Sequence, residues 1–97
     1  MGSFTLTQKA RDDMLSIGWY TRKKWGKVQQ TRYLIQLDTA FHDLADNPHV
    51  GRVCNDIREG YYKFGIGKHL IFYRHKGKDQ IEIVRILHGR MDIEQHL

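Results

Sequence analysis

The sequence predicts an α+β fold, with an N-terminal strand and an antiparallel helical hairpin packed on a twisted, mainly antiparallel sheet. Three observations carry this. Apolar residues recur at helical spacing through the first half of the chain, as far as Asn47-Pro48. From Val53 onward they come instead in short runs separated by glycine-containing turns, the pattern of strands. The connections within each half are short, which makes consecutive elements antiparallel neighbours. The 97 residues leave room for one core, so residues 1–97 read as a single domain.

Each element has its own signal. Phe4 and Leu6 alternate with polar neighbours and predict a short first strand. Thr7 is placed to cap a helix, because its hydroxyl accepts from a free backbone N–H. Ala10, Met14, Ile17, Thr21 and Trp25 then form one buried stripe, and Gly26 ends the helix in a left-handed conformation. Tyr33, Leu34, Leu37, Phe41, Leu44 and Ala45 make the apolar face of a second helix. That helix stops at Asn47, since a residue before proline is biased out of the helical region. Val53 to Arg58, Tyr61 to Ile66, His69 to His75 and Gln80 to Leu87 read as strands, punctuated by Glu59-Gly60, Gly67-Lys68 and Lys76 to Asp79.

In the last strand, strict alternation turns Ile81 and Ile83 to one face and Val84 and Ile86 to the other. Apolar residues on both faces predict a central strand covered on both sides. Arg85 then shares a face with Ile81, Ile83 and Leu87, where a guanidinium is costly unless paired. Asp92, Glu82 or a backbone carbonyl are the expected partners, with presentation to another molecule as the alternative. The sheet face away from the hairpin is expected to be partly open, as a shallow groove.

Composition narrows the function. The chain is 40% hydrophobic and 28% charged, ordinary values for a soluble domain. Its formal charge of +5 and pI near 9.5 favour an acidic partner. Arg22, Lys23, Lys24 and Lys27 cluster at the end of the first helix, where cations also complement the helix dipole. Cys54 is the one cysteine, so an intrachain disulfide is excluded and a small buried hydrophobe is its expected role. No apolar run approaches a membrane span, and Met1-Gly2-Ser3-Phe4 lacks the start of a secretory leader, so the expected location is cytoplasmic. The six histidines show no metal-ligand spacing, and Gly60, Gly65 and Gly67 read as turn and bulge residues. Neither a metal nor a cofactor is expected.

A metal-free ribonuclease needs a base, cations against phosphate and an acid for the leaving oxygen. His88 supplies a group that titrates near neutrality, and Arg58, Arg85 and Arg90 supply cations. Tyr61, Tyr62 and Tyr73 supply rings on which bases can stack. The competing reading of His88 is a strand-end histidine satisfied by backbone.

Five segments in order resemble the ParE branch of the RelE/ParE toxins. They are Tyr20-Thr21 with Trp25-Gly26; Leu44 to Pro48 with Gly51-Arg52; Ile57 to Tyr61 with Lys63-Phe64; Gly67 to His69 with Ile71 to Arg74; and Ile83 to His88 with Arg90-Met91-Asp92. The resemblance implies the RelE-like fold and a toxin of a type II toxin–antitoxin pair. It further implies inhibition of DNA gyrase by binding, without enzymatic turnover, and neutralisation by a cognate acidic ParD-like antitoxin. Gyrase contact is expected at Arg85, His88, Arg90, Met91 and Asp92. Antitoxin contact is expected at Trp19, Tyr20, Trp25, Tyr33 and Phe41, with core packing as the competing role of each. RelE-type relatives instead cut messenger RNA on the ribosome. That alternative would use His88, Arg85, Lys63 and Arg58, with Lys68 and Arg74 adding basic charge. Direct nucleic-acid binding without a protein target is the least favoured reading.

Overall fold

Thr7 is where the first strand becomes the first helix. In the computed structural model, which describes residues 2–90 and 93–97, its hydroxyl accepts from the Ala10 N–H at 3.0 Å and donates to the Val84 carbonyl at 2.7 Å. One side chain therefore caps the helix and ties it to a distant strand. Before it runs β1 (Ser3–Leu6), and after it α1 (Gln8–Trp25). Gly26, at φ +93°, turns the chain directly into α2 (Lys27–Asp46). Positive φ is cheap only for glycine. The α2 helix stops before Pro48, and a single 3-10 turn (Pro48–Val50) leads to the strands.

Those strands are β2 (Arg52–Val53), β3 (Tyr61–Ile66), β4 (His69–Gly77) and β5 (Gln80–His88), followed by a short α3 (Ile93–His96). They form one five-stranded sheet in the order β1-β5-β4-β3-β2. Every pair is antiparallel except β1 with β5, which is parallel. The expected strand over Val53 to Arg58 is reduced to two residues. Cys54 leaves the sheet instead, and its carbonyl accepts from the N–H groups of Ile57 and Arg58. Asn55 closes the loop by accepting from the Gly60 N–H at 2.8 Å. These local bonds satisfy the backbone without a strand partner.

The hairpin covers one sheet face. Ala10, Ile17, Leu37, Phe41 and Leu44 pack there on Ile71, Tyr73, Ile81, Ile83 and Ile86. The far face carries a smaller cluster of Cys54, Phe72 and Leu87, covered by Ile57, Tyr61, Leu70, Ile93 and Leu97. Buried Cys54 takes its place there as an apolar residue. Both faces of β5 are thus covered, as its composition implies.

The parity of β5 departs from strict alternation. Tyr73 pairs with Ile83, but Phe72 pairs with Arg85, so Val84 is an extra residue on β5. Such a bulge reverses the facing of every residue after it. Ile81, Ile83 and Ile86 therefore all face the helices, while Arg85 faces away with Phe72 and Leu87. The expectation that Arg85 shares a face with Ile81 and Ile83 is overturned by this one residue. Trp25 also departs from the buried stripe: it ends α1 and is 64% exposed.

Tyr73 anchors the 3-10 turn. Its ring is fully buried, and its hydroxyl donates to the Pro48 carbonyl at 2.7 Å and accepts from the Gly51 N–H at 2.9 Å. A Cβ on Gly51 would collide with that hydroxyl. Tyr73→Phe strands both backbone groups and is expected to lower stability by about 1–3 kcal/mol in urea unfolding. Gly51→Ala is expected to be at least as damaging, through displacement of the same hydroxyl. A Gly51→Ala stability equal to wild type would contradict this close approach.

Candidate functional site

Beyond Leu6 the edge of β5 loses its neighbour, and α1 takes over. The Thr7 N–H donates to the Ile83 carbonyl at 3.0 Å, and Asp13 accepts from the Ile86 N–H at 3.0 Å. The same carboxylate holds Arg85 in a two-point grip, with Nε and an Nη each at 2.8 Å. The other Nη donates to the His96 carbonyl in α3 at 3.0 Å. Hydrogen bonding to Asp13 raises the guanidinium further above its ordinary value, so it stays charged. Among the described residues its carboxylate partner is Asp13 and not Glu82, while Asp92 lies outside them. Glu82 is engaged elsewhere, by Arg74 at 2.8 Å. The expected carbonyl partner is realised at His96.

Where β5 leaves the sheet, His88 pairs across to His69, with ring centres 5.4 Å apart and nearly perpendicular. His69 Nδ1 lies 2.6 Å from the Tyr33 hydroxyl of α2. The hydroxyl also reaches the Ile66 carbonyl at 3.3 Å, and its single proton serves one of the two, so Nδ1 accepts or donates according to the imidazole's tautomer. Burial pushes the His69 imidazole below its ordinary value, and His88 adds to the effect. Burial pushes the Tyr33 hydroxyl up. Both shifts favour the neutral pair. His88 Nδ1 in turn accepts from the Arg90 N–H at 3.1 Å, so this histidine is satisfied by backbone.

These groups line a cleft of about 310 Å³ between the hairpin and the ends of β4 and β5. Tyr20, Trp25 and Tyr33 form its aromatic walls. Lys24, Lys68 and Arg90 bring cations to it. The Lys24 ammonium sits 5.6 Å from the ring centres of both Tyr20 and Trp25. A cation over aromatic faces holds such rings in place.

The residues expected to meet gyrase divide. His88 and Arg90 sit at the cleft. Arg85 is committed to Asp13 and α3, so it positions the tail. Met91 and Asp92 lie outside the described residues. The residues expected to meet an antitoxin divide as well. Trp19 and Tyr20 are 69% and 61% exposed, and Tyr33 is half-buried at the cleft. Phe41 is 1% exposed and packs on Phe4, so core packing is its role.

The nuclease set divides: His88 stands with Lys68 and Arg90 at the cleft, while Lys63, Arg85 and Arg58 do not join it. Lys63 pairs with Phe72 and Phe72 with Arg85, so Lys63 and Arg85 share the far face. Arg58 stacks over Tyr61 beside that same face. His88 pairs with His69 on the helical side, and the sheet lies between. Tyr62 and Tyr73 stack on each other on the helical side, 5.5 Å apart, while Tyr61 lies on the far side. Asp13 and His69 were not among the expected site residues. Asp13 carries no sequence signal, since an aspartate on an amphipathic helix reads as solvated.

Two helices packed on a five-stranded mixed sheet make an α+β fold. A chain of the "Chromosomal ParDE TA system from P. aeruginosa" superposes with a TM-score of 0.77 at 20% identity, covering 91% of this chain and 96% of that one. At that identity the shared property is the fold. A family model described as "ParE toxin of type II toxin-antitoxin system, parDE" matches residues 4–93. Toxin ParE1 of Mycobacterium tuberculosis is 39% identical over 94 residues, covering 97% of this chain and 96% of its own length. Toxin ParE1 of Caulobacter vibrioides is 31% identical over 97 residues, covering 100% and 99%. The chain belongs to the ParE toxin family of type II toxin–antitoxin systems.

Two outcomes test the site's framework. Asp13→Ala leaves a guanidinium and the Ile86 N–H without their partner and is expected to cost about 3 kcal/mol or more. Arg85→Lys should not restore stability, because an ammonium cannot make the two-point contact. Both are read by chemical denaturation. The second outcome concerns pH. An unfolded histidine titrates near 6.5, and folded His69 lies below that. Stability is therefore full above about pH 6.5 and declines as pH falls toward the folded value, because the unfolded chain takes up the proton first. His69→Gln should flatten that part of the stability–pH curve. An unchanged slope would show that His69 does not set it.

Proposed function

We propose that the chain inhibits DNA gyrase in the cytoplasm by binding, without turnover, and that a cognate acidic ParD-like antitoxin neutralises it. The observation that carries this reading is the strand end at the surface, His88 to Arg90, in a chain matched to the ParE family over residues 4–93. A polar group at the end of a rigid central strand is held in place without being consumed by the core. In this reading His88, Arg90, Met91 and Asp92 meet gyrase, and Arg85 holds the tail in position. Trp19, Tyr20, Trp25 and Tyr33 meet the antitoxin.

The separation of His88 from Arg85, Lys63 and Arg58 supports binding over ribonuclease chemistry. A general base must reach the group it deprotonates while the cations reach the phosphate. Arg85, Lys63 and Arg58 lie across the sheet from His88 and do not meet that requirement, which leaves Lys68 and Arg90 as the cations beside it.

The test is purified protein in a gyrase supercoiling and cleavage assay, beside an mRNA cleavage assay on translating ribosomes. The expected result is lost supercoiling or trapped cleaved DNA with intact mRNA. Arg90→Ala should weaken inhibition at least about tenfold while leaving the fold intact, because the side chain is exposed. Cut mRNA with normal gyrase activity would overturn the proposal. Deleting residues 89–97 is a harsher variant, since Ile93 and Leu97 cover the far-face cluster and His96 receives Arg85.

A further inference from the structure

The Tyr73 anchor brings two histidines from different elements side by side. Its hydroxyl grips the 3-10 turn at the Pro48 carbonyl and the Gly51 N–H, on either side of His49. Two residues beyond Tyr73 on β4 stands His75, on the helical side of the sheet. The two imidazole ring centres are 5.3 Å apart. The Tyr62 ring packs against both, 6.3 Å from His49 and 5.4 Å from His75, and itself stacks on Tyr73. Polar contacts engage a ring nitrogen of His42, His69 and His88, but among the described residues none engages His49 or His75. Aromatic packing holds this pair and leaves its nitrogens open.

We propose that His49 and His75 form a two-imidazole site for a divalent transition ion of the zinc, nickel and copper class, with water in the remaining coordination positions. Imidazole nitrogen suits these ions, whereas magnesium and calcium prefer oxygen. With Zn–N bonds of about 2 Å, two imidazoles on one tetrahedral ion place their ring centres about 5 Å apart. The observed separation matches, so the rings need only turn to point a nitrogen each at one ion. Both side chains are exposed, so a hydrated ion can reach them. The buried Tyr73 ring fixes both backbones beforehand, which lowers the ordering cost of binding. A bound ion then staples the 3-10 turn to β4 beside the Tyr73 contact. The His69–His88 pair, with ring centres 5.4 Å apart, is the rival. His88 Nδ1 accepts from the Arg90 N–H, however, so the neutral ring carries its proton on Nε2 and has no lone pair left for an ion. The site lies at the other end of β4 from the cleft and is independent of the gyrase and antitoxin readings. No spacing in the sequence announces it, because the turn and the strand meet only in the fold.

The test is zinc titrated into the tag-free chain, followed by calorimetry and by the nitrogen NMR shifts of the imidazole rings. The expected result is saturable binding in which the ring nitrogens of His49 and His75 shift together. His49→Gln and His75→Gln should each weaken binding at least about tenfold. Both side chains are exposed, so each variant should fold as the parent does. Zinc should also raise the thermal midpoint of the wild type more than that of either variant, because an ion bound only by the folded chain stabilises it. Magnesium at the same concentration should shift neither the rings nor the midpoint. Ring shifts confined to His69 and His88 would place the ion at the cleft and overturn the proposal. Equal binding by wild type and both variants, or no saturable binding at all, overturns it as well.

Discussion

The contact between Asp13 and Arg85 joins three elements at one point. Asp13 belongs to the first helix, Arg85 to the fifth strand, and the His96 carbonyl to the final short helix. The carboxylate also takes the Ile86 N–H, which is left over where β1 ends. A four-residue strand cannot cover a nine-residue one. The remaining edge would expose unpaired backbone groups, a hazard that sheets must manage. Thr7 and Asp13 close it from the helix side. The grip on Arg85 then also fixes the chain beyond it, including the strand end that carries His88 and Arg90.

Much of this architecture was legible in the residues. Thr7, Gly26 and Pro48 mark helix ends through local chemistry that needs no tertiary context, and the hairpin runs between those marks. The turns at Gly67 and around Gly77 read correctly for the same reason. The features that were not legible depend on partners far away in sequence. The bulge at Val84 adds one residue to a ladder, and strict alternation has no means of anticipating it. Its effect is to move Arg85 to the far face and Ile86 into the main core. Asp13 is invisible for a related reason, since its partner lies 72 residues on. The loop after Cys54 was misread because Ile57 supplies apolar content that serves the far-face cluster from a turn, not from a strand.

The cleft joins features that seemed separate in sequence. The basic run at the end of α1 suits the helix dipole and needs no ligand to explain it. Its position above Lys68, Arg90 and two histidines is a property of the fold alone. The neutral His69–Tyr33 pair forms the floor there, and its neutrality keeps the local charge on the three exposed cations. Tyr20, Trp25 and Tyr33, expected at the antitoxin, therefore border the same space as His88 and Arg90, expected at gyrase.

The strand order has a consequence for how the molecule is made. β5 lies between β1 and β4, yet it is the last strand to emerge during synthesis. Until it arrives, β1 has no neighbour, Asp13 has no guanidinium to hold, and Ile71 and Tyr73 lack half of their packing. A ribosome carrying the chain only as far as β4 thus holds an unfinished sheet. The strand that completes the sheet is also the one that ends in His88, the residue proposed to meet gyrase, so the sheet and that strand end take shape in a single event.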